Sequence, residues 1–100
     1  MKTPFILINT FTVAPENQQP LIALLTRATT ETVKYMEGFI TSTLHRSIDG
    51  TKVTMYAQWQ SREAYDTMRK NATASPYLEE ALTFAKFEMG MYEIVETFNK

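Results

Sequence analysis

The stretch from Leu44 to Tyr65, LHRSIDGTKVTMYAQWQSREAY, joins two extended runs across Asp49-Gly50 and passes directly into a helix start. A two-residue hairpin turn needs positive φ at both central positions, which Gly accepts freely and Asp tolerates, so the flanking runs are expected to pair antiparallel. Ser61 follows the second run and can accept hydrogen bonds from the free N–H groups of a new helix. Glu63 places negative charge beside that helix's positive end. The chain is thereby restricted to folds in which a strand hairpin feeds straight into a helix.

One hundred residues suit one domain over 1–100 with a single core. Ten basic against eleven acidic side chains leave a net charge of −1, without the surplus of positive charge that nucleic acid binding requires. The absence of cysteine removes disulfides, thiolate nucleophiles and cysteine-ligated zinc. The apolar run Phe5 to Ile8 is too short for a membrane span or a signal-peptide core, so a soluble cytoplasmic protein without membrane contact is expected.

Phe5 to Val13 is rich in aromatic and β-branched residues and reads as a strand apolar on both faces, which suits a central position. Pro20 is tolerable only in a first helical turn, so a helix is expected from near Asn17 to about Met36, closed by Gly38. Leu21, Leu24, Leu25, Ala28, Thr32, Tyr35 and Met36 form its buried stripe. The hairpin strands are expected at Phe39–Ile48 and Thr51–Gln60. A second helix then runs from Ser61 to about Asn71, with Ala64, Tyr65, Met68 and Ala72 on one face. Ser75-Pro76 opens a third helix reaching Lys86, and Met89 to Phe98 forms the last strand. The order β-α-β-β-α-α-β belongs to the α+β class and describes a ferredoxin-like fold, a four-stranded antiparallel sheet with helices on one face.

Such a sheet leaves its second face bare, and a copy of the same chain is the simplest cover, so a homodimer is expected. Pairing across Asp49-Gly50 places Ile40, Leu44, Ile48, Val53, Met55, Ala57 and Trp59 toward the helices. It places Phe39, Thr41, Thr43, His45, Thr54, Tyr56 and Gln58 on the other face.

No glycine-rich phosphate loop, nucleophile elbow or dinucleotide fingerprint occurs, and a single histidine with no suitably spaced carboxylates offers no metal-ligand pattern; neither metal nor cofactor is expected. The remaining polar and aromatic side chains near the hairpin are Asn9, His45, Tyr56, Trp59 and Tyr65. Trp59 can be plain core or a stacking surface. Tyr65, one turn after Ser61, can pack beside it or line a pocket. Asn9 interrupts an apolar strand and needs a partner from protein, water or substrate. Met55, Met68, Met89 and Met91 can shape an adaptable cavity or simply fill the core.

Gly38-Phe39, Leu44-His45-Arg46-Ser47, Asp49-Gly50, Tyr56-Ala57-Gln58-Trp59 and Ser61-Arg62-Glu63 together resemble the antibiotic biosynthesis monooxygenase family. The likeness extends to Ala14-Pro15-Glu16-Asn17 and Met91-Tyr92-Glu93-Ile94-Val95. It implies a dimeric α/β barrel of two ferredoxin-like protomers, each with a pocket between sheet and helices. Some members oxidise anthrone- or quinol-type aromatics with molecular oxygen and no cofactor, and in them residues matching Trp59, His45 and Tyr65 line or approach the pocket. Two departures stand out: an asparagine of those members is Met55 here, and an arginine of their last helix has no evident equivalent near Glu79. Haem-degrading relatives use a histidine on the helix after the tryptophan, where this chain offers Arg69 or nothing.

The resemblance implies a monooxygenase acting on a small electron-rich aromatic substrate. Trp59 would stack, Tyr65 hydrogen-bond, His45 transfer a proton, and Asn9, Tyr56, Met55 and Met68 bind substrate. In the simple register His45 and Trp59 lie on opposite faces, about 16 Å apart along the strand, so either a β-bulge swings one of them round or His45 serves the dimer interface instead. The alternatives are a binding or sensing protein with the same pocket and no chemistry, and an assembly module whose pocket is filled by its own side chains.

Overall fold

The computed structural model describes residues 4–70 and 75–100. Four strands, β1 (Phe5–Val13), β2 (Phe39–Arg46), β3 (Lys52–Trp59) and β4 (Ala85–Tyr92), pair antiparallel in the order β2-β3-β1-β4. Helices α1 (Gln18–Glu31), α2 (Arg62–Arg69) and α3 (Ser75–Ala81) supply the second layer. The ferredoxin-like arrangement is therefore present, with β1 central as its two apolar faces require.

Local chemistry accounts for several boundaries. The Ser61 hydroxyl accepts from the Ala64 N–H at 3.1 Å, which places the start of α2 directly after β3. Helix α1 stops at Glu31, short of Met36, and continues only as a 3-10 turn at Val33–Tyr35. Its Thr-rich end explains this, since Thr26, Thr29 and Thr30 donate back to carbonyls four residues earlier, at 2.7–3.0 Å, which weakens helix continuation. Tyr35 is consequently 74% exposed and does not belong to the buried stripe.

The turn at Asp49-Gly50 is longer than a two-residue hairpin loop. The Ser47 N–H donates to the Lys52 carbonyl at 2.9 Å, and the Gly50 N–H to the Ser47 carbonyl at 3.2 Å. Only Gly50 adopts positive φ, at 84°. Asp49 instead accepts from Ser47 Oγ, the Thr51 N–H and Thr51 Oγ1 at 2.7–3.0 Å, so an acidic side chain holds the loop together. Both hairpin strands are shorter than expected, and Ile48 lies fully exposed in the turn.

The end of the chain also differs from expectation. Strand β4 begins at Ala85, paired with Val13, and ends at Tyr92. A period-two row of Ala85, Phe87, Met89 and Met91 starts there, and Phe87 packs on Phe11 with ring centroids 4.9 Å apart. Cross-strand pairing thus claims residues that a helical pattern could also have claimed. Ala72, expected on the inner face of α2, lies outside the described residues.

A shift in register between Phe39 and Thr41 leaves Ile40 unpaired and pairs Phe39 with Trp59. This bulge turns Phe39 toward the helices, with its ring edge-on to Trp59 at 5.3 Å, and leaves Ile40 exposed. The faces expected for these two residues are therefore exchanged. The bulge lies beyond His45, which pairs with Thr54 and stays on the helix-free face.

Candidate active site

The buried side chains fall into two clusters, and the gap between them makes the site. Phe11, Val13, Leu21, Leu24, Leu25, Val53 and Ala81 form one beneath α1 and α3. Leu7, Ala57, Trp59 and Tyr65 form the other beside α2. On the helix-facing row of β1, Leu7 belongs to one cluster and Phe11 to the other, with Asn9 between them. Asn9 pairs with Met55 on one side and Met89 on the other, so a polar residue and two flexible ones stand where a rigid aliphatic row would close the core. A cavity of about 290 Å³ opens there, lined from the sheet by Leu7, Asn9, Phe11, Met55, Ala57 and Trp59. Its volume is near the lower end for small-molecule sites, ~300 Å³.

Three aromatic rings build the inner end. Trp59 and Tyr65, 1% and 2% exposed, meet edge to face with centroids 6.1 Å apart. Their contact follows from sequence spacing, because the Ser61 cap starts α2 and Tyr65 then lies one turn along it. Phe5 packs on the other side of Tyr65 at 5.8 Å. One more turn along α2, Arg69 Nη1 donates to the Tyr65 hydroxyl at 2.9 Å. That hydroxyl donates to Met89 Sδ at 2.9 Å, and the same guanidinium nitrogen lies 3.6 Å from the sulfur.

The Asn9 side-chain oxygen is buried with no hydrogen-bond partner among the described residues. An unpaired buried acceptor costs about 1–3 kcal/mol, and here it belongs to a residue lining a cavity large enough for a ligand. Asn9 therefore presents an acceptor that a bound hydroxyl or N–H group can satisfy.

The helices complete the wall with Leu25, Ala28, Thr29, Met68, Leu78 and Glu79 among others. Tyr77 ties α3 to α1 near the mouth, donating to Glu31 Oε2 at 2.7 Å beneath the Arg27 guanidinium, 6.0 Å from its ring. The hydrogen bond to Glu31 is the main cause holding the Tyr77 hydroxyl above its ordinary pKa, with burial and the Glu31 charge adding to it. Among the described residues no group of three or more His, Cys, Asp or Glu side chains could hold a metal. No helix among them is long and apolar enough to cross a membrane.

Of the residues singled out in the sequence, Asn9, Met55, Met68, Trp59 and Tyr65 line the cavity. His45 and Tyr56 do not. His45 is exposed on the helix-free face opposite Thr54, and Tyr56 shares that face, its hydroxyl accepting from Gln58 Nε2 at 3.1 Å. Strand alternation decides this, since both stand in the alternate positions between Met55, Ala57 and the inward residues of β2. The cavity remains open despite its aromatics and methionines, unlike a pocket filled by its own side chains. Arg69, Glu79, Phe11 and Tyr77 line the cavity as well, although no motif in the sequence marks them. Arg69 was accessible, lying four residues after Tyr65 on the same helix face, whereas Glu79 and Tyr77 reach the cavity only through the packing of α3.

Fold and site together define a ferredoxin-like α+β protein with an apolar, one-sided cavity between its sheet and helices. The antibiotic biosynthesis monooxygenase profile matches residues 4–80. The tetracenomycin-F1 monooxygenase of Streptomyces glaucescens is 32% identical over 94 residues, covering 94% of this chain and 84% of that protein. The solved monooxygenase from the ActVA-Orf6 gene of Streptomyces coelicolor, in complex with nanaomycin D, superposes with a TM-score of 0.82 at 30% identity, over 98% of this chain and 93% of that one. SnoaB, a cofactor-independent oxygenase from Streptomyces nogalater, shares the fold with a TM-score of 0.79 at 20% identity, over 99% and 100% of the two chains. The chain belongs to the antibiotic biosynthesis monooxygenase family.

Proposed function

We propose that the protein is a cofactor-independent monooxygenase that oxidises a small electron-rich aromatic of the anthrone or quinol type with molecular oxygen. The observation carrying this is the largely apolar cavity that holds the unpartnered Asn9 acceptor and the Tyr65–Arg69 donor pair. A flat hydroxylated aromatic meets those requirements: its rings stack against Trp59, and its oxygens find Tyr65 and Asn9. Its relationship to the tetracenomycin-F1 monooxygenase and to a monooxygenase solved with nanaomycin D points the same way.

In such a reaction the substrate supplies the electrons. Loss of a proton from an anthrone methylene gives an enolate, which passes one electron to oxygen. The two radicals combine to a peroxide anion, the proton taken from the methylene returns to it to give a hydroperoxide, and loss of water leaves a ketone. One oxygen atom enters the product and the other leaves as water, so no external reductant is needed. The protein contributes orientation, a dry surface and a route for the proton. Glu79 is the carboxylate lining the cavity among the described residues and is assigned as proton acceptor in place of His45.

The helix-free face, with exposed Tyr92 and His45, is assigned to pairing with a second copy of the chain. Oxygen uptake tests the catalytic assignment. Purified protein with a panel of reduced anthrones and quinols should consume oxygen faster than the spontaneous rate, and Trp59→Ala should abolish the excess. Binding of these compounds without any excess uptake would identify a binding protein instead.

A further inference from the structure

We infer that Arg69 selects the cavity's ligand by charge: a hydroxylated polycyclic ketone bound as its monoanion, with the ionised oxygen at Arg69 and Tyr65 and a neutral hydroxyl donating to Asn9. The inference rests on the cavity being the ligand site proposed above, and it specifies the ionisation state and orientation of what enters.

Arg69 differs from its neighbours in what balances its charge. Arg27 and Arg62 each face a carboxylate one helical turn on, Glu31 and Asp66, at 3.8 Å. Among the described residues no carboxylate lies within ion-pair distance of Arg69, and the partners its guanidinium meets among them are the Tyr65 hydroxyl and the Met89 sulfur. A guanidinium has five N–H donors, and a thioether is a weak acceptor. The Tyr65 proton and the remaining Arg69 donors are thus held against partners that an anionic oxygen would readily displace. Charge-assisted hydrogen bonds of this kind are shorter and roughly twice as strong as neutral ones, and the apolar wall strengthens them further.

The orientation follows from the other two polar groups. Asn9 Oδ1 accepts but cannot donate, so it favours a neutral hydroxyl and repels an ionised oxygen. Met89 pairs with Asn9 across β1 and β4 and also touches Tyr65 and Arg69, so both poles border the same methionine. Glu79, the carboxylate on the opposite helix, disfavours an anion on its own side. Arg69 is exposed while Trp59 is buried, which sets the ionised oxygen at the mouth and the rings inward.

Alizarin, 1,2-dihydroxyanthraquinone, is a suitable probe because it is already oxidised, does not turn over and changes its visible spectrum on ionisation. Bound to the wild-type protein, its ionisation midpoint should fall by about one pH unit, the lower end of what an adjacent opposite charge produces. Arg69→Met should remove the shift and weaken binding of the anion about tenfold, and Arg69→Lys should restore part of both. An unshifted midpoint, an Arg69→Met variant that behaves as wild type, or no binding at all would overturn the inference. Oxygen uptake with anthrones is measured in parallel. Uptake without the spectral shift removes the role of Arg69 and leaves the oxygenase intact, whereas an Arg69-dependent shift without uptake removes the oxygenase and leaves the anion site.

Discussion

Asn9 shows most directly how a single residue converts core into site. Its neighbours on the helix-facing row of β1, Leu7 and Phe11, are 3% and 2% exposed, and each anchors a separate apolar cluster. A leucine at this position would join the clusters. The unsatisfied Asn9 oxygen is therefore a stability cost retained at a binding surface, which gives Asn9→Leu opposite effects on stability and function. Denaturant unfolding should show the ligand-free variant more stable by about 1–3 kcal/mol, while titration with hydroxylated aromatics should show affinity reduced about tenfold. An unchanged affinity would remove Asn9 from the binding surface. The interruption of an apolar strand by Asn9 was legible in the sequence, as was the meeting of Trp59 with Tyr65. The partner of Asn9 was not, because whether a strand polar group meets protein or an open cavity depends on residues far away in the chain.

At the scale of elements, contacts within a few residues shape the hairpin loop and the following helix, and Gln18 of α1 adds hydrogen bonds to the Ser47 and Lys52 carbonyls. Asp49 illustrates the strength of such chemistry: hydrogen bonds from the Thr51 hydroxyl and amide and from Ser47 lower its pKa from 3.8 to about 2. A carboxyl depressed in the folded state stabilises that state at pH values above its unfolded pKa, ~3.9, and loses the contribution as pH falls through about 2. Asp49→Ala should accordingly lower Tm at pH 7, and calorimetry at decreasing pH should show the gap to wild type closing between pH 4 and pH 2. A gap independent of pH would place the effect in backbone conformation instead. The elements misjudged from sequence, the end of α1 and the start of β4, are those where local signals compete. Thr29 to Tyr35 continues a helical spacing with residues whose hydroxyls oppose it, and Ala85 completes a helical stripe yet pairs with Val13. Tertiary pairing decides such segments, since one residue's propensity differs by only ~0.7 kcal/mol or less across most side chains.

For the molecule as a whole, the helices cover one face of the sheet only. Ile8, half-buried, stands in the row of β1 that faces away from the helices, and the segment after β4 carries Ile94, Val95 and Phe98 in exposed positions, the last two 91% and 88% exposed. Apolar side chains so disposed favour a second copy as cover. Sedimentation should therefore give twice the protomer mass, and Ile8→Lys, which puts a charge on that face away from the cavity, should shift the distribution toward monomer. A wild-type protein that sediments as a monomer at micromolar concentration would exclude the pairing. The antiparallel hairpin, the Ser61 cap, the neighbourhood of Trp59 and Tyr65 and the order of strands and helices follow from the amino-acid order alone, because period, capping and turn chemistry act between residues close in the chain. That Phe39 joins Trp59 through a bulge, that His45 faces away from the cavity, and that Arg69 and Glu79 border it emerge only in the folded chain. Those outcomes depend on strand register and on how α2 and α3 seat over a divided core, where pairings among distant segments outweigh any local preference.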